Sequence, residues 1–328
     1  MEFGEVPLDR AEGAILAHSH RTPEGRIRKG RRLDGDDLAA LRAAGIDAVT
    51  VARPGPADID EDTAAARIAA ALAPDPAAAG LRVTEASTGR VNLYATGPGV
   101  LRLDAGAVDR LNRLDPMATV ATLAPWTRVA AGTMVATVKI ISYALPRAAV
   151  DAAAGAGAGA ISVAPVVLRD ATLIVTDMGQ GPGKGEAAMA TRLDRLGMSL
   201  EAVEVVPHAT GPIARALSSV TSDLALLLTA SATSDPRDVG PSGLVAAGGR
   251  LTRFGMPVDP GNLLFYGRMG ARPVIGLPGC ARSPALNGAD WVLERICCGI
   301  EPDGDDIARM GVGGLLKESP ARPHPRAG

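Results

Sequence analysis

Leu224-Ala-Leu-Leu-Leu-Thr-Ala-Ser-Ala-Thr-Ser-Asp-Pro-Arg-Asp-Val239 passes from an unbroken aliphatic run into a loop crowded with hydroxyls, carboxylates and one guanidinium. An aliphatic run without alternation reads as a strand buried on both faces, the environment of a central strand in a parallel sheet. The loop Thr229 to Asp238 leaves that strand at its carboxyl end, where open α/β sheets bind their ligands. This single stretch therefore predicts both the fold class and the edge of the sheet to inspect.

Outward from it, strand-like and helix-like segments alternate. Ala171 to Thr176 is a short apolar run, and Glu186 to Leu196 carries Met189, Leu193 and Leu196 on one helical stripe. Leu200 to Val206 is strand-like, and Ile213, Leu217 and Val220 make the next stripe. Downstream come a helix near Val239 to Ala247, strands near Leu251 to Phe254 and Val274 to Leu277, and a last helix carrying Leu286, Ala289, Leu293 and Ile296. The pattern predicts a three-layer αβα domain with a mostly parallel sheet over residues 166–300, and a flexible tail over 301–328.

Before residue 166 the rhythm differs. The segment Asp151-Ala-Ala-Ala-Gly-Ala-Gly-Ala-Gly-Ala160 offers no large apolar anchor and alternates glycine, so residues 151–165 read as an Ala/Gly linker. Residues 1–150 are richer in strand-like runs: Ile46 to Val51, Leu81 to Thr84, Val91 to Tyr94, Val100 to Leu103 and Met134 to Ile141. Helices punctuate them, one after the cap Asp34 with Leu38 and Leu41 on one side, another from about Asp60 to Leu72. A β-rich α+β unit is expected there.

Composition narrows the function. Hydrophobic residues are 47% and charged residues 21% of a 328-residue chain, the balance of globular protein, and the length suits two cores. Aromatics are only 2%, which leaves little with which to stack nucleic-acid bases, and a net charge of -2 supplies no field for polyanions. No nucleic acid and no membrane are expected as partners, since no apolar run approaches the length of a span and no export signal opens the chain. Cys280, Cys297 and Cys298 cannot assemble a four-ligand metal centre and read as reduced thiols of a cytoplasmic protein.

Three Gly- or Pro-rich loops leave strands at the expected ligand edge. The first, Thr176 to Gly185, precedes a helix, so free backbone N–H groups and Lys184 can hold a phosphate. It lacks the spacing of a P-loop, because Gly179 and Gly183 are one residue too close and Gly185 follows the lysine. In the second loop a carboxylate can hold Mg²⁺ on a phosphate, while Arg237 can equally pair with Asp235 and Asp238 can equally cap the helix at Val239. The third, Gly276-Leu-Pro-Gly-Cys-Ala-Arg-Ser283, reads as a Pro-Gly turn, with Ser283 placed to cap the final helix.

In this order the loops resemble the molybdopterin-binding domain of molybdopterin adenylyltransferases, molybdopterin molybdenumtransferases and gephyrin. Thr229 to Val239 keeps the length, first Thr and terminal R-D-V of the T-G-G-T-G-x-x-x-R-D-V loop. Gly276 to Ser283 matches G-L-P-G-N-P-x-S at five of eight places, and Val258-Asp-Pro-Gly-Asn262 is similar to the nearby K-P-G-K segment. Thr176-Asp177 and Lys184-Gly185 are similar to the S-D and D-K-G of the first loop. Val6-Pro-Leu-Asp-Arg-Ala-Glu-Gly-Ala-Ile-Leu-Ala17 looks like the opening of molybdenumtransferases, and the likeness is closest to the shortened, two-domain members of that group.

The resemblance implies a binder of molybdopterin or molybdenum cofactor, acting in its biosynthesis or its delivery to a molybdenum enzyme or another cofactor-biosynthesis protein, and forming a homo-oligomer. Residue by residue it implies ligand contacts from Thr176, Asp177, Gly183, Lys184, Thr229, Ser231, Thr233, Asp235, Arg237, Asp238, Pro260, Gly261, Pro278, Gly279 and Ser283. Were the chain an adenylyltransferase or molybdenumtransferase using ATP, Asp238 would be its catalytic carboxylate and the place for Mg²⁺. Departures weigh against that chemistry: Ala230 and Ser231 replace two glycines, His208 replaces the acid of V-P-D, and Cys280 replaces Asn. A third reading is an assembly module that has lost its ligand.

Overall fold

Leu224–Leu228 lies at the centre of a six-stranded mixed sheet in the computed structural model, which describes residues 1–181 and 183–316. Elements of this second unit are numbered from its start: β1 Asp170–Asp177, α1 Glu186–Asp194, β2 Ser199–Pro207, α2 Thr210–Ser219, β3 Leu224–Leu228, α3 Val239–Ala246, β4 Arg250–Phe254, β5 Phe265–Met269, β6 Arg272–Leu277, α4 Gly288–Cys297 and α5 Gly304–Arg309. The sheet order is β2-β1-β3-β6-β5-β4. Pairs β2/β1, β1/β3 and β3/β6 are parallel, and β5 pairs antiparallel with both β6 and β4.

All of β3 is buried, as its composition requires, with Leu226 and Leu228 in one core layer and Ala225 and Leu227 in the other. The alternation of strand residues between layers thus assigns the helices: Met189, Leu193, Leu293 and Ile296 cover one face, and Ile213, Leu217 and Leu244 the other. The αβα sandwich agrees with the sequence. β5 follows the same alternation, with the consecutive Phe265 and Tyr266 going one to each core layer.

Two boundaries are corrected. Residues 151–165 are not an open linker: the helix Arg147–Ala156 occupies the alanine run, and Ile161–Pro165 is a strand. Alanine supplies helix propensity, Val150 and Ala153 are buried, and this helix packs on Glu61–Leu72 and Ala105–Leu114. The small residues serve that packing, since a Cβ on Gly157 would stand 2.7 Å from Leu111 Cδ1 and 3.1 Å from Leu72 Cδ2. Nor are residues 301–316 a tail: Asp303 and Asp306 form a capping box on α5, and Ile307 and Met310 sit in the core of the second unit. The rest of the expected tail, 317–328, lies outside the described residues.

The first unit takes in Met1–Thr96, Leu101–Thr127 and Ala131–Val163; Gly97–Val100 and Arg128–Ala130 belong with the second. It is β-rich, as expected. Glu2–Pro7, Ala48–Arg53 and Ile15–Leu16 make one antiparallel sheet, and Leu81–Val83, Arg90–Ala95, Met134–Ile140 and Ala118–Thr122 another. Asp34 caps Gly35–Ala43 through a capping box with Asp37, which delivers Leu38 and Leu41 into a core with Leu16, Leu33, Val49 and Val51. Among the described residues no helix is long and apolar enough to cross a membrane.

Candidate functional site

At the carboxyl end of β1 the Thr176 side chain is buried at 1% exposure and works as a joint. Its Oγ1 accepts the N–H of Ala230 from the second loop at 2.7 Å and meets His208 Nδ1, beyond β2, at 2.8 Å. One hydroxyl therefore fixes the starts of two neighbouring loops. Asp177 follows in an Asx turn, its Oδ1 accepting the N–H groups of Gly179 at 3.0 Å and Gln180 at 3.1 Å. That carboxylate folds the first loop back.

Arg282, in the third loop, reaches across to both others. Its Nη1 donates to the Lys184 carbonyl at 2.9 Å and its Nη2 to the Thr229 carbonyl at 3.1 Å. Gly183 gives it room: φ there is +69°, and a Cβ would stand 3.3 Å from Arg282 Nη1. Around the guanidinium opens a cavity of about 310 Å³, lined by Thr176, Asp177, Met178, Gln180, Gly181, Gly183, Lys184, Ala230 and Arg282. All three loops contribute. Burial draws the Arg282 guanidinium down from its ordinary value, yet such a group stays charged at any physiological pH. Lys184 and Asp177 also line the cavity, so its basic residues outnumber its one acid in a chain with no net positive charge.

The third loop itself stands on a buried ion pair. Arg192 of α1 pairs through Nε with Asp290 of α4, and its Nη groups donate to the carbonyls of Ala188, Ala281, Ser283 and Ala285. Asp290 Oδ2 accepts the N–H of Asn287, and Asn287, not Ser283, is the cap of α4. Neither Arg192 nor Arg282 is flagged by a motif. Arg192 was concealed in an apolar helical stripe, and Arg282 occupies the unspecified place of G-L-P-G-N-P-x-S.

Several expected contacts stand elsewhere. Asp238 caps α3: its Oδ1 accepts the N–H of Val239 at 2.7 Å and its Oδ2 that of Ser234 at 3.1 Å. Arg237 is spent on Asp235, at 2.9 and 3.2 Å, and that pairing holds the exposed Asp235 carboxyl down at about 2. Thr229 Oγ1 donates to the Ser231 carbonyl at 2.7 Å and meets Thr233 Oγ1 at 3.2 Å, which bends the second loop on itself. None of Thr229, Ser231, Thr233, Asp235, Arg237 or Asp238 lines the cavity, to which this loop gives Ala230.

Pro260 and Gly261 brace α4. The Pro260 carbonyl accepts the N–H of Gly288 at 2.8 Å, and a Cβ on Gly261 would stand 2.6 Å from that nitrogen. Pro278 and Gly279 open a 3-10 turn in which Gly279 has open space where a Cβ would go, so the expected tight turn does not require glycine. The Ser283 side chain is used locally, accepting the N–H of Ala285 at 3.2 Å. Burial pushes the Cys280 thiol up, as for a packing residue. Mg²⁺ does not fit at Asp238: both carboxylate oxygens already accept backbone N–H groups, Asp235 faces Arg237, and no three His, Cys, Asp or Glu among the described residues are grouped to hold a metal.

A family model described as a domain of unknown function (DUF8806) matches residues 5–53. No curated protein matches the chain. Among solved structures it is similar to the molybdopterin biosynthesis MoeA protein from Pyrococcus horikosii, with 12% identity, 91% of this chain and 75% of that chain covered, and a TM-score of 0.33. It is also similar to the molybdopterin biosynthesis enzyme MoaB from Thermus thermophilus, with 20% identity over 41% of this chain and 99% of that one, at a TM-score of 0.28. A molybdopterin biosynthesis protein from Mycobacterium abscessus shares 18% identity over 41% and 94%, at 0.29.

Proposed function

We propose that the second unit binds molybdopterin or the molybdenum cofactor at the cavity between its three loops, in biosynthesis of that cofactor or its delivery to a molybdenum enzyme. The observation that carries this reading is the Arg282 guanidinium, held by the Lys184 and Thr229 carbonyls at the carboxyl edge of the sheet, in a cavity that Lys184 also lines. A phosphate group suits two cations there, and the cavity volume falls within the range of about 300–1,000 Å³ common for small-molecule sites. The ordered series of loop motifs supplies the pterin identity.

The same geometry favours binding over phosphoryl transfer, because Asp238, the one carboxylate assigned to catalysis, caps a helix outside the cavity lining. Mass spectrometry of small molecules released from the purified protein tests the proposal. A phosphorylated pterin, free or carrying molybdenum, is the expected result, together with its loss in Arg282→Ala. Release of an unrelated metabolite would overturn the ligand, and ATP consumption dependent on molybdopterin and Mg²⁺ would overturn the restriction to binding.

A further inference from the structure

In the first unit the stretch His18-Ser-His-Arg-Thr-Pro-Glu-Gly-Arg-Ile-Arg-Lys-Gly-Arg-Arg32 carries Arg21, Arg26, Arg28, Lys29, Arg31 and Arg32 against a single acid, Glu24. Its strands His20–Thr22 and Gly25–Ile27 pair only with each other, in a register that sets Arg21 directly opposite Arg26. Like charges in that position repel. The two-residue period puts Arg26 on the face of Arg21 and turns Ile27 the other way, where it is buried in the core with Leu16 and Leu41, and exposed Arg28 follows directly after the strand.

Only part of this charge is offset, and none of it at Arg21, Arg26 or Arg28 by a side-chain pairing among the described residues. Asp34 and Asp37 bind Arg31, at 3.3 and 2.6 Å, and Arg32 donates to the Gly13 carbonyl at 2.7 Å. Arg21, Arg26, Arg28 and Lys29 are exposed, and their side chains form no hydrogen bond or ion pair among the described residues. The hairpin is nonetheless held in place by Ile27, by the Lys29 N–H donating to Ser19 Oγ at 2.9 Å and by Thr22 Oγ1 donating to the Gly25 carbonyl at 3.1 Å. Stability alone gives no reason to display three arginines on such a platform.

We propose that this hairpin face docks an acidic segment of a partner protein, with carboxylates bridging Arg21, Arg26 and Arg28. Guanidinium forks bind carboxylates in a bidentate manner, and an extended acidic chain repeats its charges on the scale of neighbouring strands. Nucleic acid fits less well: residues 18–32 include no Phe, Tyr or Trp on which a base can stack, only the smaller rings of His18 and His20, and Glu24 sits in the connecting turn. A bilayer would find no large apolar side chain at the Pro23-Glu24-Gly25 tip. The surface lies inside residues 5–53, the span of the domain of unknown function, and is independent of the pterin reading.

Fluorescence anisotropy of the full chain with a labelled poly-glutamate peptide tests the proposal, with an oligothymidylate as the competing probe. Saturable, salt-sensitive peptide binding is expected, weakened on the order of tenfold by the triple change Arg21→Gln, Arg26→Gln and Arg28→Gln. A control triple of Arg102→Gln, Arg110→Gln and Arg215→Gln should leave affinity within about twofold. The hairpin variant should melt no lower than the unmodified chain, because like-charge repulsion is removed. Equal loss in the control, tighter binding of the oligothymidylate, absence of peptide binding, or a lowered melting temperature of the hairpin variant would each overturn the assignment.

Discussion

Behind the third loop, Arg192 uses all five of its N–H groups, one on Asp290 and four on carbonyls, whereas the first loop across the cavity is tied down by the Asp177 turn and by Arg282 on the Lys184 carbonyl. One wall is fixed from within the core; the other is fixed from across the site. The difference assigns different tasks. A wall set by a buried network presents Arg282 in one orientation before a ligand arrives, while a wall of exposed backbone adapts its N–H groups to the anion that fills it.

The largest effect should come from breaking the fixed wall. Asp290→Asn leaves the Arg192 charge buried without its partner, and loss of one member of such a pair costs about 3–5 kcal/mol. Denaturant unfolding should register that loss along with frayed exchange protection at Ala281 to Ala285. A cost below about 1 kcal/mol would mean that the carbonyls alone hold the loop.

The same wall carries a pH dependence. Glu294 on α4 is 13% exposed, has Arg128 at 3.2 Å, and is pushed up to about 7, chiefly by burial. The folded state thus keeps this proton after the unfolded chain has released it. Stability is fullest below the ordinary carboxylate range and falls as pH rises from about 4.5 to about 7, by about 3 kcal/mol in all. Glu294→Gln should flatten that slope in unfolding measured at pH 5 and pH 8. An equally steep slope in the variant would place the titrating group elsewhere.

Between the walls lies Thr176. Thr176→Val keeps the shape but strands the Ala230 N–H and removes the partner of His208, at about 1–3 kcal/mol for a buried donor left without an acceptor. Exchange at Ala230 should quicken selectively. If protection there is unchanged, water has replaced the hydroxyl and the joint is dispensable.

How far these walls were legible depends on what kind of interaction builds them. The strands and helices follow from periodicity, because Leu224–Leu228 or the stripe Met189, Leu193 is a local statement about burial. The three loops were legible as a set for the same reason, since topology brings every carboxyl end of a parallel strand to one edge. Arg192 and Arg282 were not, because their partners are backbone carbonyls far away in sequence, and a carbonyl leaves no residue type to read. Asp238 was legible in two ways, as a helix cap and as a carboxylate of the matched loop motif, and the cap is the role its hydrogen bonds display. The alanine- and glycine-rich stretch after Asp151 misled through the same locality: poor in anchors of its own, it becomes a helix because two other helices can approach it closely.

The smallest expected effect concerns Gly279 and sharpens where the ligand lies. Glycine in a Pro-Gly turn at a ligand edge invites the inference of a strained backbone or an approach too close for a side chain. Gly279 shows neither, since its φ is outside the left-handed region and no atom stands within 4 Å of an added Cβ. Gly279→Ala should therefore change stability by no more than about 0.5 kcal/mol. It should also leave Arg282 in place, because the bonds to the Lys184 and Thr229 carbonyls and the Arg192 network under Ala281 do not pass through that Cα. Ligand retention then decides between two poses. Unchanged retention keeps the ligand over the first loop and Arg282, whereas a clear loss with unchanged folding would show that it extends across the start of the third loop and touches the turn directly.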